Sequence, residues 1–329
     1  MMRTFRTTVL GGLLLLLAQG ALAAPVAGLY QVREPLAADT EEGRNEAFGR
    51  AFATLVQRMT GRAGDAQAAG LAAVAQAPQN LALGYAFQED ELQVSFDAAS
   101  VLQALREAGL PVWGSDRPVV LMWWVQEGLH GKNLLGEGNN RSLNLQQAAL
   151  NRGLPARFPL ADLNELMQAD KGWGDADQVQ TMLQGYAADV LLVVESHEQE
   201  GAISGSWQLL GTEKTQTGTL AGDSLVEAAD GMFLQLAAAL AEDYAVLPGQ
   251  GSKLRVRLQG LDIDGMLAAE KALQVFGAEL VYLQGETGVW DVTALPEQLR
   301  SQLGLYQFRE QPQFDDEPEQ AGVELVFVR

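Results

Sequence analysis

The apolar run from Pro118 to Val125 restricts the possible folds more than any other stretch of the chain. It shows no alternation of polar and apolar residues, which is typical of a strand in the centre of a sheet. Downstream, strand-like and helix-like patterns follow one another as βαβαβ-β-β-α. We therefore predict that residues 116–249 form an α/β domain with a mixed sheet and helices packed on it.

The regions on either side have their own patterns. Residues 24–115 predict an N-terminal α+β domain, with a helix that is capped by Thr40 and ends at Gly61. Residues 252–329 read βαββαβ, which favours a ferredoxin-like C-terminal domain. With 329 residues, two to three domains are expected. The predicted fold class is α/β (α+β), in three small modules with mixed sheets.

The N-terminus has the layout of a secretory signal. Arg3 and Arg6 precede an apolar run, and Ala21–Ala23 provides small residues for cleavage. We predict a signal peptide at 1–23 that is cut after Ala23, because a cut one residue later would place Pro25 directly behind the bond. The apolar run is shorter than the ~20 residues that span a bilayer. The expected location is the periplasm of a Gram-negative bacterium.

Two features of the composition narrow the function. The chain has no cysteine, which excludes disulfides, thiol chemistry and lipid attachment to cysteine. No later apolar run is long enough to span a membrane, so we expect no transmembrane segment after signal cleavage. The formal net charge of −20 makes nucleic acid and anionic lipid improbable partners, whereas a cationic partner or a weakly bound divalent cation is compatible with it.

No motif has the pattern of a catalytic site. The two histidines, His130 and His197, lie far apart, in a glycine-rich stretch and at the end of a predicted strand. We predict no catalytic residue and no cofactor. The stretch 170–177 has the carboxylates and glycines of a calcium loop but lacks the EF-hand pattern, and Asp175 as a helix cap explains it more simply.

Five residues are predicted to contact another domain or a partner, since three tryptophans gather where the first two predicted domains meet. These candidates are Trp113, Arg117, Trp123, Trp124 and His130. The stretch 128–140 contains four glycines and is predicted to be a mobile loop that contacts the partner.

Several strings resemble one family of secreted proteobacterial proteins, the domain of unknown function 2066. They are Leu29–Arg33, Val56–Arg62, Val94–Asp97, Leu110–Gly114 and Arg117–Trp123. The resemblance implies export and layout but no activity. In pattern alone, 116–249 also resembles the amino-terminal domain of the periplasmic translocation protein TolB.

These observations favour a non-enzymatic adaptor or accessory factor that binds an envelope protein. Two alternatives stay open at this point. One is an envelope glycan-binding protein or hydrolase with carboxylate acid-base residues, and the other is a weak calcium-binding stabiliser. A cleft with two close carboxylates and exposed aromatic rings would favour the glycan alternative.

Overall fold

The structure is a computed structural model that describes residues 26, 28–38, 40–88, 90–128, 131–173, 175–212, 215–247, 251–311 and 325–329. The predicted signal peptide and its cleavage point lie outside these residues. We call 24–115, 116–249 and 252–329 the first, second and third segments.

The first segment folds around a long helix and a three-stranded antiparallel sheet of order β1-β3-β2. Thr40 caps α1 through the N–H of Gly43, and Gly61 ends it in the left-handed conformation (φ 76°) that favours glycine. The buried face of α1 carries Ala, Phe, Leu, Val and Met side chains that pack on the sheet. Its elements are β1 (Gln31–Pro35), α1 (Glu41–Thr60), α2 (Ala72–Ala75), β2 (Ala82–Gln88), β3 (Glu91–Phe96) and α3 (Ala98–Glu107).

The second segment is a mixed sheet of order β5-β4-β7-β8-β9, and β6 also pairs with β4. The predicted central strand is β4, which runs parallel to β7 and is buried over its first seven residues. Two apolar cores lie against its faces. Its elements are β4 (Val120–Gly128), β5 (Gly131–Leu134), α4 (Asn140–Asn151), β6 (Ala156–Arg157), α5 (Leu163–Lys171), α6 (Ala176–Tyr186), β7 (Val190–Gln199), β8 (Ala202–Leu210), β9 (Gln216–Gly222) and α7 (Leu225–Tyr244).

The third segment is a mixed sheet of order β11-β12-β10-β14-β13 with two helices packed on it. Its four main strands have the ferredoxin-like order, with one difference. A simple crossover after β12 would bring the last strand back antiparallel to β10, whereas β14 runs parallel to β10. The elements are β10 (Ser252–Gln259), α8 (Ile263–Gln274), β11 (Glu279–Gln284), β12 (Thr287–Ala294), α9 (Pro296–Leu305), β13 (Arg309–Glu310) and β14 (Leu325–Val328).

The reversed direction follows from the extra strand β13. The chain leaves α9, forms β13 at the sheet edge, and returns as β14, which is antiparallel to β13 and lies between it and β10. The predicted α/β fold class with three small sheets is confirmed. Of the acidic stretch 311–319, only Gln311 lies in the described part of the chain. No helix within the described ranges is long and apolar enough to cross a membrane.

Backbone contacts hold the two ends of the second segment close to each other and to α1. Val112 and Val246 form an antiparallel bridge, with N–H to O distances of 2.8 and 2.9 Å. The Trp113 N–H donates to the Met59 carbonyl at the end of α1. The chain therefore enters and leaves the second segment at one place.

Candidate functional site

Arg117 is completely buried where the first two segments meet. Its guanidinium donates to four backbone carbonyl oxygens, those of Gly114 (3.0 Å), Gly153 (3.0 Å), Trp113 (3.2 Å) and Arg58. It also lies over the Trp113 ring, 4.1 Å from the centroid. The side chain therefore ties the end of α1 to the loop after α4.

Arg58 is the second buried cation of this junction. Its guanidinium donates to the carbonyls of Asn151 (2.6 Å), Gln31 (2.6 Å) and Leu29 (3.3 Å). Burial lowers the pKa of Arg117 to about 9 and that of Arg58 to about 10. Both guanidinium groups still carry their charge at neutral pH. These hydrogen bonds place carbonyl oxygens around two desolvated charges. The two arginines therefore stabilise the fold at this junction.

The other candidate tryptophans lie inside the second segment. Trp124 is buried under α7 with Trp113, and its indole N–H donates to Ser196 Oγ at 2.8 Å. Trp123 is buried on the opposite face, 5.0 Å edge-on from Trp173. Successive residues of a strand point to opposite faces, so Trp123 and Trp124, which are adjacent in the sequence, lie on opposite faces of the sheet. Trp113 and Arg117 come together, whereas Trp123 lies apart from both.

Only one of the two histidines lies in the described part of the chain. His130 lies outside the described residues. His197 is exposed at the end of β7, and its Nδ1 is 3.0 Å from the Glu127 carboxylate on the neighbouring strand β4. This exposed pair has no nucleophile in hydrogen-bond contact among the described residues.

The predicted mobile loop at 128–140 was wrong over 131–134. These residues form β5, which pairs with β4 from Val125↔Leu134 to Gly128↔Gly131. Pairing with β4 satisfies the backbone of a stretch that has no apolar alternation of its own, which explains why the pattern did not show it.

Helix α5 packs beside β5 and turns apolar side chains outward. Leu160, Leu163, Leu166 and Met167 are exposed by 66%, 73%, 39% and 51%. Residues 163, 166 and 167 share one helix face. We call these four residues the α5 surface. Isolated exposed leucines are common, but a group on one helix face is a feature of interaction sites.

The inward face of α5 carries a buried carboxylate beside Ala169, which packs on the apolar core at β4. Glu165 is 8% exposed, forms a capping box with Asp162, and accepts a hydrogen bond from the Tyr186 hydroxyl. Burial, followed by this bond to Glu165, raises the pKa of Tyr186 to about 12. A buried carboxylate with three exposed apolar side chains on one helix departs from the usual amphipathic arrangement. The sequence pattern did not predict α5, although the capping box Asp162–Glu165 is a signal for the start of a helix.

A cleft of about 910 Å³ lies between the second and third segments. Burial raises the pKa of Asp189, whose carboxylate accepts the Val119 N–H at 2.7 Å. Burial, together with the nearby charges of Asp189 and Asp243, raises the pKa of Tyr244. The charged side chains in the lining are those of Asp189, Asp243, Glu297, Arg300, Arg309 and Arg329.

This cleft does not meet the aromatic part of the glycan criterion. Its carboxylates are present, but its aromatic residues, Tyr244 and Phe308, are half-buried and buried respectively. Tyr244 also stacks on Trp113, with centroids 6.4 Å apart. Among the described lining residues there is therefore no exposed ring on which a sugar could stack.

A calcium site finds no support in the described part of the chain. No group of three or more Asp, Glu or His side chains is placed there to hold a metal ion. Asp175 accepts the Gln178 N–H at 2.8 Å and caps α6. The side chain of Asp170 lies outside the described part.

Comparison with known families corrects the resemblance drawn from the sequence strings. The model that matches is a domain of unknown function, DUF8605, over residues 23–114. Nothing points to domain of unknown function 2066, so that assignment was wrong. One of the strings that carried the resemblance, Arg117–Trp123, lies beyond the matched residues.

No curated protein matches the chain. The crystal structure of lipoprotein GNA1162 from Neisseria meningitidis is 13% identical, with a TM-score of 0.18, over 38% of this chain and 94% of that one. The crystal structure of an uncharacterized protein is 15% identical, with a TM-score of 0.16, over 38% and 90%. Such scores carry no argument about fold or function. The first segment is therefore similar to a family without an assigned function.

Proposed function

We propose that this chain is an exported periplasmic adaptor that binds a partner protein of the Gram-negative envelope and has no catalytic role. The observation that carries the proposal is the α5 surface. It presents Leu163 and Met167, exposed by 73% and 51%, from a regular helix. Burying such side chains contributes about 1.5–3 kcal/mol each. A partner with an apolar surface would gain this stabilisation.

A protein fits this surface better than a lipid bilayer. Helices that lie in a membrane interface have Lys and Arg on their polar face. Helix α5 ends in one lysine, Lys171, and carries the acidic residues Glu165 and Asp170, in a chain with a formal charge of −20. An anionic lipid surface would repel it.

The rigidity of α5 also supports this proposal. Its N-terminus is fixed by the Asp162–Glu165 capping box, and Glu165 is held by the Tyr186 hydroxyl. A helix fixed in this way loses little conformational entropy when a partner binds.

Site-specific photocrosslinking in the periplasm tests the proposal. A crosslinking amino acid would replace Leu163 or Met167 in the epitope-tagged full chain at native expression. We expect both positions to capture the same envelope protein, and Leu166→Ser to reduce that capture several-fold. Val226, which is 50% exposed on α7, provides the matched control position.

Two results would contradict the adaptor. One is no captured protein at either α5 position. The other is equal capture of the same protein from position 226, because this would show that contact is not specific to the α5 surface. Retention of the tagged chain in the cytoplasmic fraction would overturn the exported location.

A further inference from the structure

Strand β11 is an edge of the third sheet, and among the described strands it pairs with β12 alone. All six of its residues are exposed, and the four from Leu280 to Leu283 are exposed by between 42% and 50%. An edge strand presents unpaired N–H and C=O groups, which proteins usually protect with lysine, proline or a covering element. Here the only charged residue is Glu279, at the beginning of the strand.

A groove of about 420 Å³ runs beside this edge, between β11 and α8. Leu267 of α8, which is 52% exposed, faces Leu280 across it, with Trp290 of β12 in the lining. Leu280 pairs with Trp290, and Leu283 pairs with Gly288, so both leucines lie on the helix side of the sheet. A strand added to β11 would place every second side chain in this groove.

The edge is not open to every strand. The pairing register shifts between Leu280 and Tyr282, so Val281 is a bulged residue. Bulges twist a strand and hinder indiscriminate edge pairing. Side chains that fill the groove must therefore contribute to recognition.

The exposed edge strand β2 of the first sheet lacks these features. Its most exposed aromatic residue, Tyr85, already packs edge-on against Phe48 (5.0 Å) and Phe87 (5.8 Å). The groove of about 270 Å³ beside α1 is lined by no residue of β2. Strand β11 is the better site for an added strand.

The charges around the groove indicate its occupant. Glu270 and Lys271 border the groove, and the two elements that form it carry two further exposed acidic residues, Asp264 in the first turn of α8 and Glu279 at the start of β11. We call these charged residues, which have a net negative charge, the acidic rim. A second copy of this chain would bring the same acidic rim and a further net charge of −20. Basic residues flanking an apolar segment would instead complement the rim.

We propose that β11 and the groove beside α8 bind an extended segment of another polypeptide by strand addition. Its apolar residues, at alternate positions, fill the groove, and basic residues between and around them face the acidic rim. Six residues of β11 offer roughly 20 Å of edge. The site is separate from the α5 surface and does not depend on it.

A synthetic peptide of about nine residues, with valine alternating with lysine or threonine, tests this site. We would measure its binding to the mature chain by fluorescence anisotropy. The buffer would contain ~0.15 M salt, which limits long-range attraction between charges. We expect Leu267→Ser with Leu280→Ser to weaken binding at least tenfold. The matched control Val226→Ser, also at an exposed apolar position, should bind as the wild type does.

A second peptide separates strand addition from charge attraction. Methylation of alternate backbone nitrogens removes the N–H donors but leaves side chains and charge unchanged, and we expect it to weaken binding at least tenfold. Bound peptide should also slow amide exchange at 280–284. Equal binding of the methylated peptide, or slowed exchange elsewhere only, would overturn the proposal.

Two further outcomes test what binds the edge and whether the two surfaces are separate sites. Dimerisation of the free chain that Leu280→Ser abolishes would show that the edge binds a second copy, and would overturn the peptide proposal. A Leu163→Ser/Met167→Ser variant should bind the peptide normally. If it loses the peptide, the two surfaces are one site and the separate site is overturned, whereas failure of photocrosslinking at α5 leaves this measurement unaffected.

Discussion

Replacing Arg117 by alanine should be among the most destabilising changes in the molecule. The side chain is completely buried and donates to the carbonyls of Gly114, Gly153, Trp113 and Arg58. Arg117→Ala removes all of these donors at once and leaves a cavity beside the Trp113 ring.

The magnitude follows from the unpaired acceptors. Each buried polar group without a partner costs about 1–3 kcal/mol, and part of this is offset because the desolvated charge is also removed. We expect a net loss of ~3–5 kcal/mol in the free energy of unfolding. A domain is typically stable by about 5–15 kcal/mol, so this loss should remove a substantial part of the stability.

Urea denaturation, followed by tryptophan fluorescence and far-ultraviolet circular dichroism, measures the loss. Arg117→Lys keeps the charge but not the fork of donors, and should fall between alanine and the wild type. The matched control is Arg255→Ala, because Arg255 is exposed and pairs with Asp291 at 2.7 Å; its midpoint should barely change. Equal midpoint shifts for Arg117→Ala and Arg255→Ala would refute the reasoning.

Three other predictions concern packing, pH and the α5 surface. Gly61→Ala should lower the free energy of unfolding, measured in urea, by ~1–3 kcal/mol. At φ 76° the added Cβ would lie 2.2 Å from Ala241 Cβ, whereas the Cβ of the control Gly64→Ala meets open space. Equal effects of the two substitutions would contradict this prediction. Burial raises the pKa of Asp189, so its native state keeps the proton to higher pH, and wild-type stability should fall as pH rises above the ordinary value of 3.8. The free energy of unfolding of Asp189→Asn relative to wild type should therefore be higher at about pH 7 than at about pH 4, and a pH-independent difference would count against the buried carboxyl. Leu163→Ser/Met167→Ser should leave the melting temperature within a few degrees of wild type, since both side chains are exposed, and a large drop would mean that α5 is packed differently.

The sequence was sufficient for the order of the elements where burial follows a simple period. The run Pro118–Val125 predicted a central strand, and β4 lies between β5 and β7 as expected. The cap at Thr40 and the glycine at Gly61 marked the ends of α1. These features depend on neighbours along the chain, so they can be read without knowledge of tertiary contacts.

The sequence was insufficient where long-range contacts decide. Strand β5 depends on pairing with β4, and the burial of Glu165 is accompanied by a hydrogen bond from Tyr186, 21 positions away in the chain. Trp123 and Trp124 are adjacent in sequence, but the strand places them on opposite faces. Both proposed surfaces contain exposed leucines. The apolar character of a residue in the sequence does not show whether its side chain is exposed or buried.

The bridge between Val112 and Val246 has a mechanical consequence. A force that pulls the first and third segments apart passes through this bridge and bypasses the sheet of the second segment. The two backbone hydrogen bonds and the neighbouring side-chain contacts must break before the second segment is stretched. Until then, the second segment carries none of the force. A protein tethered at both ends between envelope components would then lengthen in two steps under tension, first at the bridge and later by unravelling the central sheet.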